Sequence, residues 1–251
     1  MRLTVSLLPN GNYELCIINY ELITNCIMEY YSDYPKFLIS TDCIIFGFDK
    51  GKLQLLIRKR DFDPGKGMWS LMGGFVNDNE SIDSAAKRIL KKLTGLHNIY
   101  MQQVGAFGKI NRDPGQSVVS VCYYALIKVS DYDDKIRQKF NAEWVAYDEL
   151  PPLFSDHAEM VDKARAMMQQ KFACEPVGFN LLPEQFTLTQ LQQLYEAVYD
   201  TQIDKRNFRK RVNEMKYIES TGEIDKTTSK RGALLYSFNK TVYNQQQNFK
   251  L

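Results

Sequence analysis

The spacing of apolar residues along the chain changes several times, and each change marks an element. Residues 37–48 (FLISTDCIIFGF) and 53–60 (LQLLIRKR) are rich in β-branched and large apolar side chains. The glycine-bearing turn at 49–52 between them predicts a β-hairpin. A Pro/Gly loop comes next at 61–67, then a β-prone stretch at 69–75 with a Gly-Gly pair. From Ser81 to Thr94 the period lengthens. Ile82, Ala85, Ala86, Ile89 and Leu93 fall at i, i+3, i+4, i+7 and i+11, one face of a helix. Strands are expected at 99–107, 118–129 and 143–147, then a long helix at 156–172 with Asp156 as N-cap and Glu159 three residues on. Strands and helices alternate irregularly, so the expected class is α+β, a sandwich with a mixed sheet.

Pro176 and Gly178 interrupt this pattern, which makes 174–180 the expected boundary. Beyond it Thr187 caps a helix at 188–200, with Gln190 completing a capping box and Leu188, Leu191, Leu194, Tyr195 and Val198 on one face. Asp204 caps a second helix ending near Met215. Short strands at 217–220 and 233–238 flank a polar loop with Gly222 near its start. Helix, turn, helix and hairpin outline a winged helix. Residues 1–27 look detached from the rest of the chain, and Met28 opens an acidic, tyrosine-rich lead-in where translation is expected to start. The expected division is an N-terminal extension at 1–27, an effector-binding domain at 28–173 and a winged-helix DNA-binding domain at 174–251.

Composition agrees with this layout and adds one asymmetry. The chain has 251 residues, 44% hydrophobic and 25% charged, which excludes a disordered or collagen-like protein. Net charge is only +2, yet residues 201–240 hold 10 Lys and Arg against 5 Asp and Glu. That is a basic patch on a neutral body. Five widely spaced cysteines without a C-x-x-C argue for free thiols in a reducing cytoplasm rather than disulfides or zinc. No apolar run is long enough to span a membrane, and no signal peptide is evident.

Gly74, Glu80, Arg88 and Gly95, with Gly73 and Leu96, carry the first chemical signal. Together with the lead-in Trp69-Ser70-Leu71-Met72-Gly73-Gly74 they resemble the Nudix box, Gly-x5-Glu-x7-Arg-Glu-x2-Glu-Glu-x-Gly. The resemblance spans about residues 37–172 and implies a Nudix-like α/β/α sandwich. In that family the helix glutamates hold divalent metal, which activates water against a nucleoside diphosphate derivative. Here Ile89, Lys92 and Leu93 occupy the glutamate positions, and Ile89 and Leu93 lie on the helix's own apolar stripe. Hard cations need oxygen ligands, and without the metal both Lewis acid and hydroxide source disappear. No metal, no cofactor and no hydrolase activity are therefore expected. The contending reading is a hydrolase with displaced metal ligands.

On the helix capped by Asp204, Phe208, Val212 and Met215 point inward, leaving Lys205, Arg206, Asn207, Arg209, Lys210 and Asn213 outward or at the flanks. Arginine and asparagine suit guanine and adenine edges, and lysine suits phosphate. Lys230 and Arg231 in the hairpin loop suit a wing along the DNA backbone. A degenerate Nudix domain followed by a winged helix resembles the Nudix-related transcriptional regulators of bacteria. Asn111-Arg112-Asp113-Pro114, Asp156-His157, Leu182-Pro183-Glu184-Gln185-Phe186-Thr187-Leu188 and Asp204-Lys205-Arg206-Asn207-Phe208-Arg209-Lys210 carry that likeness.

The resemblance implies a homodimeric regulator, commonly a repressor, on double-stranded operator DNA. Its grip changes when a small molecule fills the old substrate pocket. Branches of the family respond to ADP-ribose-type ligands or to a pentose such as L-arabinose. Asp42, Arg58, Arg60, Trp69, Asp113 and Tyr123 are the candidate effector residues. Trp69 reads equally as a stacking platform or as core, and His157 reads as structural. A neutral sugar needs no metal, only a few polar groups and an aromatic wall, so L-arabinose is the first expectation and ADP-ribose the alternative.

Overall fold

The computed structural model describes residues 2–7, 13–18, 32–132, 138–226 and 232–247. Two compact units divide it, Met1–Lys36 and Phe37–Leu251. In the first, β1 (Arg2–Leu7) and β2 (Tyr13–Ile18) form an antiparallel pair that the sequence pattern did not predict. Met28 lies outside the described residues.

The second unit opens with a mixed sheet. Its strands are β3 (Leu38–Asp49), β4 (Lys52–Lys59), β5 (Trp69–Ser70), β6 (Met72–Phe75), β7 (Tyr100–Phe107), β8 (Val118–Leu126) and β9 (Ala142–Ala146). They run in the order β5-β4-β3-β8-β7, with β6 beside β3 and β9 beside β4. β3 and β8 are parallel, and the other pairs are antiparallel. Strand alternation sorts β3 between two cores. Cys43 and Ile45 meet Ile89, Leu90 and Leu93 of α1 (Ile82–Thr94). Ile44 and Phe46 join the cluster that holds Met160, Val161, Ala164 and Met168 of α2 (His157–Cys174). This is the expected α/β/α arrangement.

Helix ends show where local chemistry decided and where it did not. α1 begins at Ser81, whose hydroxyl accepts the Ser84 N–H, and ends at Gly95, left-handed at φ 74°. Its stripe is buried apart from Ile82, which sits exposed in the first turn. α2 starts where expected, but the Asp156 side chain makes no capping bond. Arg112 has claimed that carboxylate instead.

Around the expected boundary lies a short 3-10 turn, Val177–Leu181, with Val177, Gly178 and Leu181 buried. A Cβ on Gly178 would stand 2.8 Å from the Phe172 ring. Then come β10 (Gln185–Thr187), α3 (Leu188–Tyr199), α4 (Lys205–Glu214), β11 (Ile218–Asp225), β12 (Ala233–Phe238) and α5 (Lys240–Gln247). The three strands form a sheet ordered β10-β12-β11. β10 and α5 were not anticipated, and β11 runs beyond 220. Gly222, φ 79°, lies where β11 breaks register between Ser220 and Ile224, not at the start of a loop. The Thr187–Gln190 capping box is fully formed, and Asp204 accepts the Asn207 N–H.

Leu181, Phe186, Leu191, Leu194, Val198 and Val212 belong to the same apolar cluster as Ile44, Phe46 and Met168. At this junction the Gln169 side-chain amide donates to the Val198 carbonyl, and the Tyr199 hydroxyl donates to the Gln169 carbonyl, both at 2.8 Å. No helix among the described residues is long and apolar enough to cross a membrane.

Candidate functional site

A cavity of about 470 Å³ opens between β3, β6, the loop after β4 and the start of α2. Asp42 on β3 forms its floor. One carboxylate oxygen accepts the Ser120 hydroxyl at 2.6 Å, and the other faces Nε2 of His157 at 3.9 Å. Arg112 stands 3.7 Å from Asp42 and makes a bidentate pair with Asp156, both bonds 2.9 Å. The approach of β6 depends on glycine. Gly73 lies opposite Asp42 in the ladder, and a Cβ there would sit 2.2 Å from the carboxylate.

The protonation states are set by these partners. Nδ1 of His157 accepts the Leu71 N–H at 3.1 Å, so the proton resides on Nε2. Burial pushes the imidazole below its ordinary value, outweighing Asp42 and Asp156, and the ring is neutral near pH 7. For Asp156 burial pushes upward, but the Arg112 bonds outweigh it and hold the carboxylate below its usual range.

The rim carries more cations. Arg58 pairs with Asp61 at 2.7 Å, and its Nε is buried without a partner. Arg60 is held between the rings of Phe62 and Phe154, 4.4 and 4.2 Å from their centroids, and its Nε donates to the Pro64 carbonyl at 2.8 Å. Asp113 also lines the cavity. Asp42, Arg58, Arg60 and Asp113 thus converge as expected. Trp69 and Tyr123 do not. Trp69 packs on the α2-side core beneath the Lys59 ammonium. Tyr123 faces the α1 side, is buried, and donates its hydroxyl to Asp83. The exposed aromatics of the cavity are Phe62 and Phe75. Arg112, Phe154 and His157 were missed as pocket residues, although the Asn-Arg-Asp-Pro and Asp-His pairs were the available signal.

The neighbouring loop and helix have a different character. Arg88 grips both Glu80 oxygens and the Phe75 carbonyl, while the Asn77 N–H also donates to Glu80. These bonds, Arg88's above all, pull the Glu80 carboxyl down to about 2. Gly74 leaves room for Ile89, whose Cδ1 would lie 3.2 Å from a Cβ there. Ile89 and Leu93 are core residues and Lys92 is exposed. Among the described residues no three His, Cys, Asp or Glu side chains gather as metal ligands. Of the carboxylates between Gly74 and Gly95, Asp78, Glu80 and Asp83, Glu80 is bound by Arg88 and Asp83 accepts the Tyr123 hydroxyl.

On α4, Val212 is buried and Phe208 and Met215 are half-buried, while Lys205, Arg206, Asn207, Arg209, Lys210 and Asn213 are exposed. Lys205, Arg209 and Asn213, spaced four apart, wall a groove with Gln190 and Gln193 of α3 and Leu234 of β12. Asn207 lies on the other flank beside Arg211, a cation overlooked in the sequence. Lys230 and Arg231 lie outside the described residues.

A mixed α/β/α sheet with a polar cavity, followed by a winged helix with a cationic second helix, defines a two-part DNA-binding regulator. Residues 36–164 match the NUDIX domain model, and residues 178–238 match the NrtR DNA-binding winged helix domain. The chain is 36% identical over 211 residues to the ADPR responsive transcriptional repressor NtrR of Acinetobacter baylyi, covering 82% of this chain and 84% of that one. It is 30% identical over 108 residues to an ADP-ribose pyrophosphatase of Methanocaldococcus jannaschii, covering 43% of this chain and 63% of that one. Its fold is similar to that of Shewanella oneidensis NrtR solved with a 27mer DNA, with a TM-score of 0.70, 28% identity, and coverage of 80% of this chain and 93% of that one. The chain belongs to the NrtR family of Nudix-related transcriptional regulators.

Proposed function

We propose that this protein is a transcriptional repressor whose degenerate Nudix domain, about residues 28–173, binds ADP-ribose or a close relative and thereby changes the grip of the winged helix, about 174–251, on operator DNA. The observation that carries this reading is the presence of Arg58, Arg60 and Arg112 around one cavity floored by Asp42. Guanidinium groups bind diphosphate oxygens without a metal. Asp42 and Asp113 supply acceptors for ribose hydroxyls, and Phe62 and Phe75 supply faces for a base. The pentose expectation is therefore replaced. It rested on the loss of the metal as diphosphate anchor and on Trp69 as aromatic wall, but arginines can take the first role, and Trp69 packs half-buried against the α2-side core rather than lining the cavity. The ADP-ribose responsiveness of the Acinetobacter relative supports the same choice.

Ile89, Lys92 and Leu93 support a regulator without hydrolase activity. A homodimer would set two α4 helices about 34 Å apart on a roughly palindromic site. Control requires that the ligand prefer one of two arrangements, and a tenfold preference corresponds to about 1.4 kcal/mol of coupling. Calorimetry with ADP-ribose and L-arabinose, with and without operator, tests the effector. Tight ADP-ribose binding that weakens the operator complex is expected. Heat from arabinose alone, or metal-dependent release of a mononucleotide, would overturn the reading. Arg209→Ala is expected to cost about 1–3 kcal/mol on operator and to relax its sequence preference.

A further inference from the structure

Two concavities on the winged-helix side share a divide. One is the groove walled by Lys205 and Arg209 of α4. The other is a cavity of about 730 Å³, and Gln190 and Gln193 of α3 line both. The far side of the second cavity comes from the Nudix sheet, with Lys50 and Gly51 in the β3–β4 turn and Lys128 just after β8. The turn lies against α3, since a Cβ on Gly51 would be 3.9 Å from Cδ of Gln193. Cations, two side-chain amides and two further cations therefore succeed one another across a continuous surface.

The two cations there are not ion-paired among the described residues. Lys52, two residues from Lys50, is tied to Asp148 and Glu149 at 3.2 and 2.6 Å, whereas Lys50 and Lys128 make no ion pair among the described residues. Asp49 is the one carboxylate among the residues lining that cavity. In helix-turn-helix docking, the helix before the recognition helix crosses the phosphate backbone, and here that helix is α3. A duplex with α4 in its major groove would run its backbone past Gln190 and Gln193, whose amides can donate to phosphate oxygens.

We infer that the DNA-contacting surface extends onto the Nudix domain, with Lys50 and Lys128 holding phosphates that flank the base pairs read by α4. This rests on the DNA-binding reading above. The effect is electrostatic and sequence-independent.

The test is operator binding by the full chain across a salt series, using a long duplex and one trimmed to the palindrome. The variant combines Lys128→Gln with Lys50→Asn, because Lys50 has φ 48° and asparagine tolerates that left-handed conformation. On the long duplex the slope of log affinity against log salt is expected to flatten by about 1.8, or about 0.9 per lost phosphate contact. The affinity gap to the parent then narrows about tenfold between roughly 50 and 200 mM salt. On the trimmed duplex parent and variant are expected to coincide, with ADP-ribose binding and thermal midpoint unchanged throughout. Equal slopes on the long duplex, or an altered oligomeric state instead of an altered slope, would overturn the extension while leaving the winged-helix reading standing. A parent chain that binds neither duplex would overturn both.

Discussion

Asp42 and Cys43 are adjacent in the chain but point to opposite sides of β3, into surroundings of different chemistry. On the α1 side, the positions that carry metal-binding glutamates in the Nudix box hold Ile89 and Leu93, packed with Cys43 and Ile45, and Glu80 is bound by Arg88. Burial has pushed the Cys43 thiol up to about 12, so it is a neutral thiol at neutral pH. On the α2 side, Asp42, Arg112, Asp156 and His157 keep a connected polar network at the base of an open cavity. The polar cavity and the Nudix-box helix thus lie on opposite sides of one sheet.

The strongest way to break this contrast is Arg112→Leu. It leaves Asp42 and Asp156 buried without their cation, and removing one partner of a buried pair costs about 3–5 kcal/mol. Urea unfolding should show a loss of that size together with loss of ADP-ribose binding. A loss under about 1 kcal/mol would mean that the network does not hold the site.

Leu93→Glu probes the sealed side. A carboxylate placed among Ile89, Leu90 and Met72 is expected to cost about 3 kcal/mol without creating turnover in Mg²⁺. A stable variant that hydrolyses ADP-ribose would reverse the contrast.

A smaller effect comes from His157→Asn, in which the amide oxygen can accept the Leu71 N–H in place of Nδ1. His157 titrates below 6.5 in the folded chain. As the pH falls past 6.5, unfolded chains take up a proton that the native state refuses, so stability declines until the folded value is reached. The asparagine variant should lack that decline. Asp156 acts lower on the scale, its contribution persisting until the pH falls through a folded value below 3.8. An unchanged profile between neutral pH and about 5 would contradict the neutral assignment of His157.

Smallest of all should be Trp69→Phe, which is expected to leave effector affinity within about twofold, or 0.4 kcal/mol, because Trp69 lies in core packing. A tenfold loss would restore it as a stacking surface.

What could be read from the chain was whatever depends on near neighbours. The α1 stripe, the Thr187–Gln190 capping box and the exposed cations of α4 arise from spacing over a turn or two. The Asp156 cap failed because a partner 44 residues away took its carboxylate. Tyr123 faces away from the cavity because its facing is set by a non-local pairing, the β3–β8 register that places it beside Cys43 on the α1 side. Arg112 and His157 were visible as motif residues, but only the three-dimensional meeting of the loop after β7 with the start of α2 turns them into a pocket. β10 is three residues long, too short for a periodic signal.

The apolar cluster that runs from β3 through α2 into α3 and α4 has a thermodynamic consequence. Packed side chains of both parts of Phe37–Leu251 would have to separate before either could melt alone, so calorimetry should show that unit unfolding cooperatively in one endotherm. Both tryptophans, Trp69 and Trp144, lie in the Nudix part, yet their fluorescence would report the melting of the winged helix as well. A ligand at 100 times its Kd adds about 2.7 kcal/mol to whatever unfolds with its site. The recognition helix would therefore gain thermal resistance from a molecule it never touches.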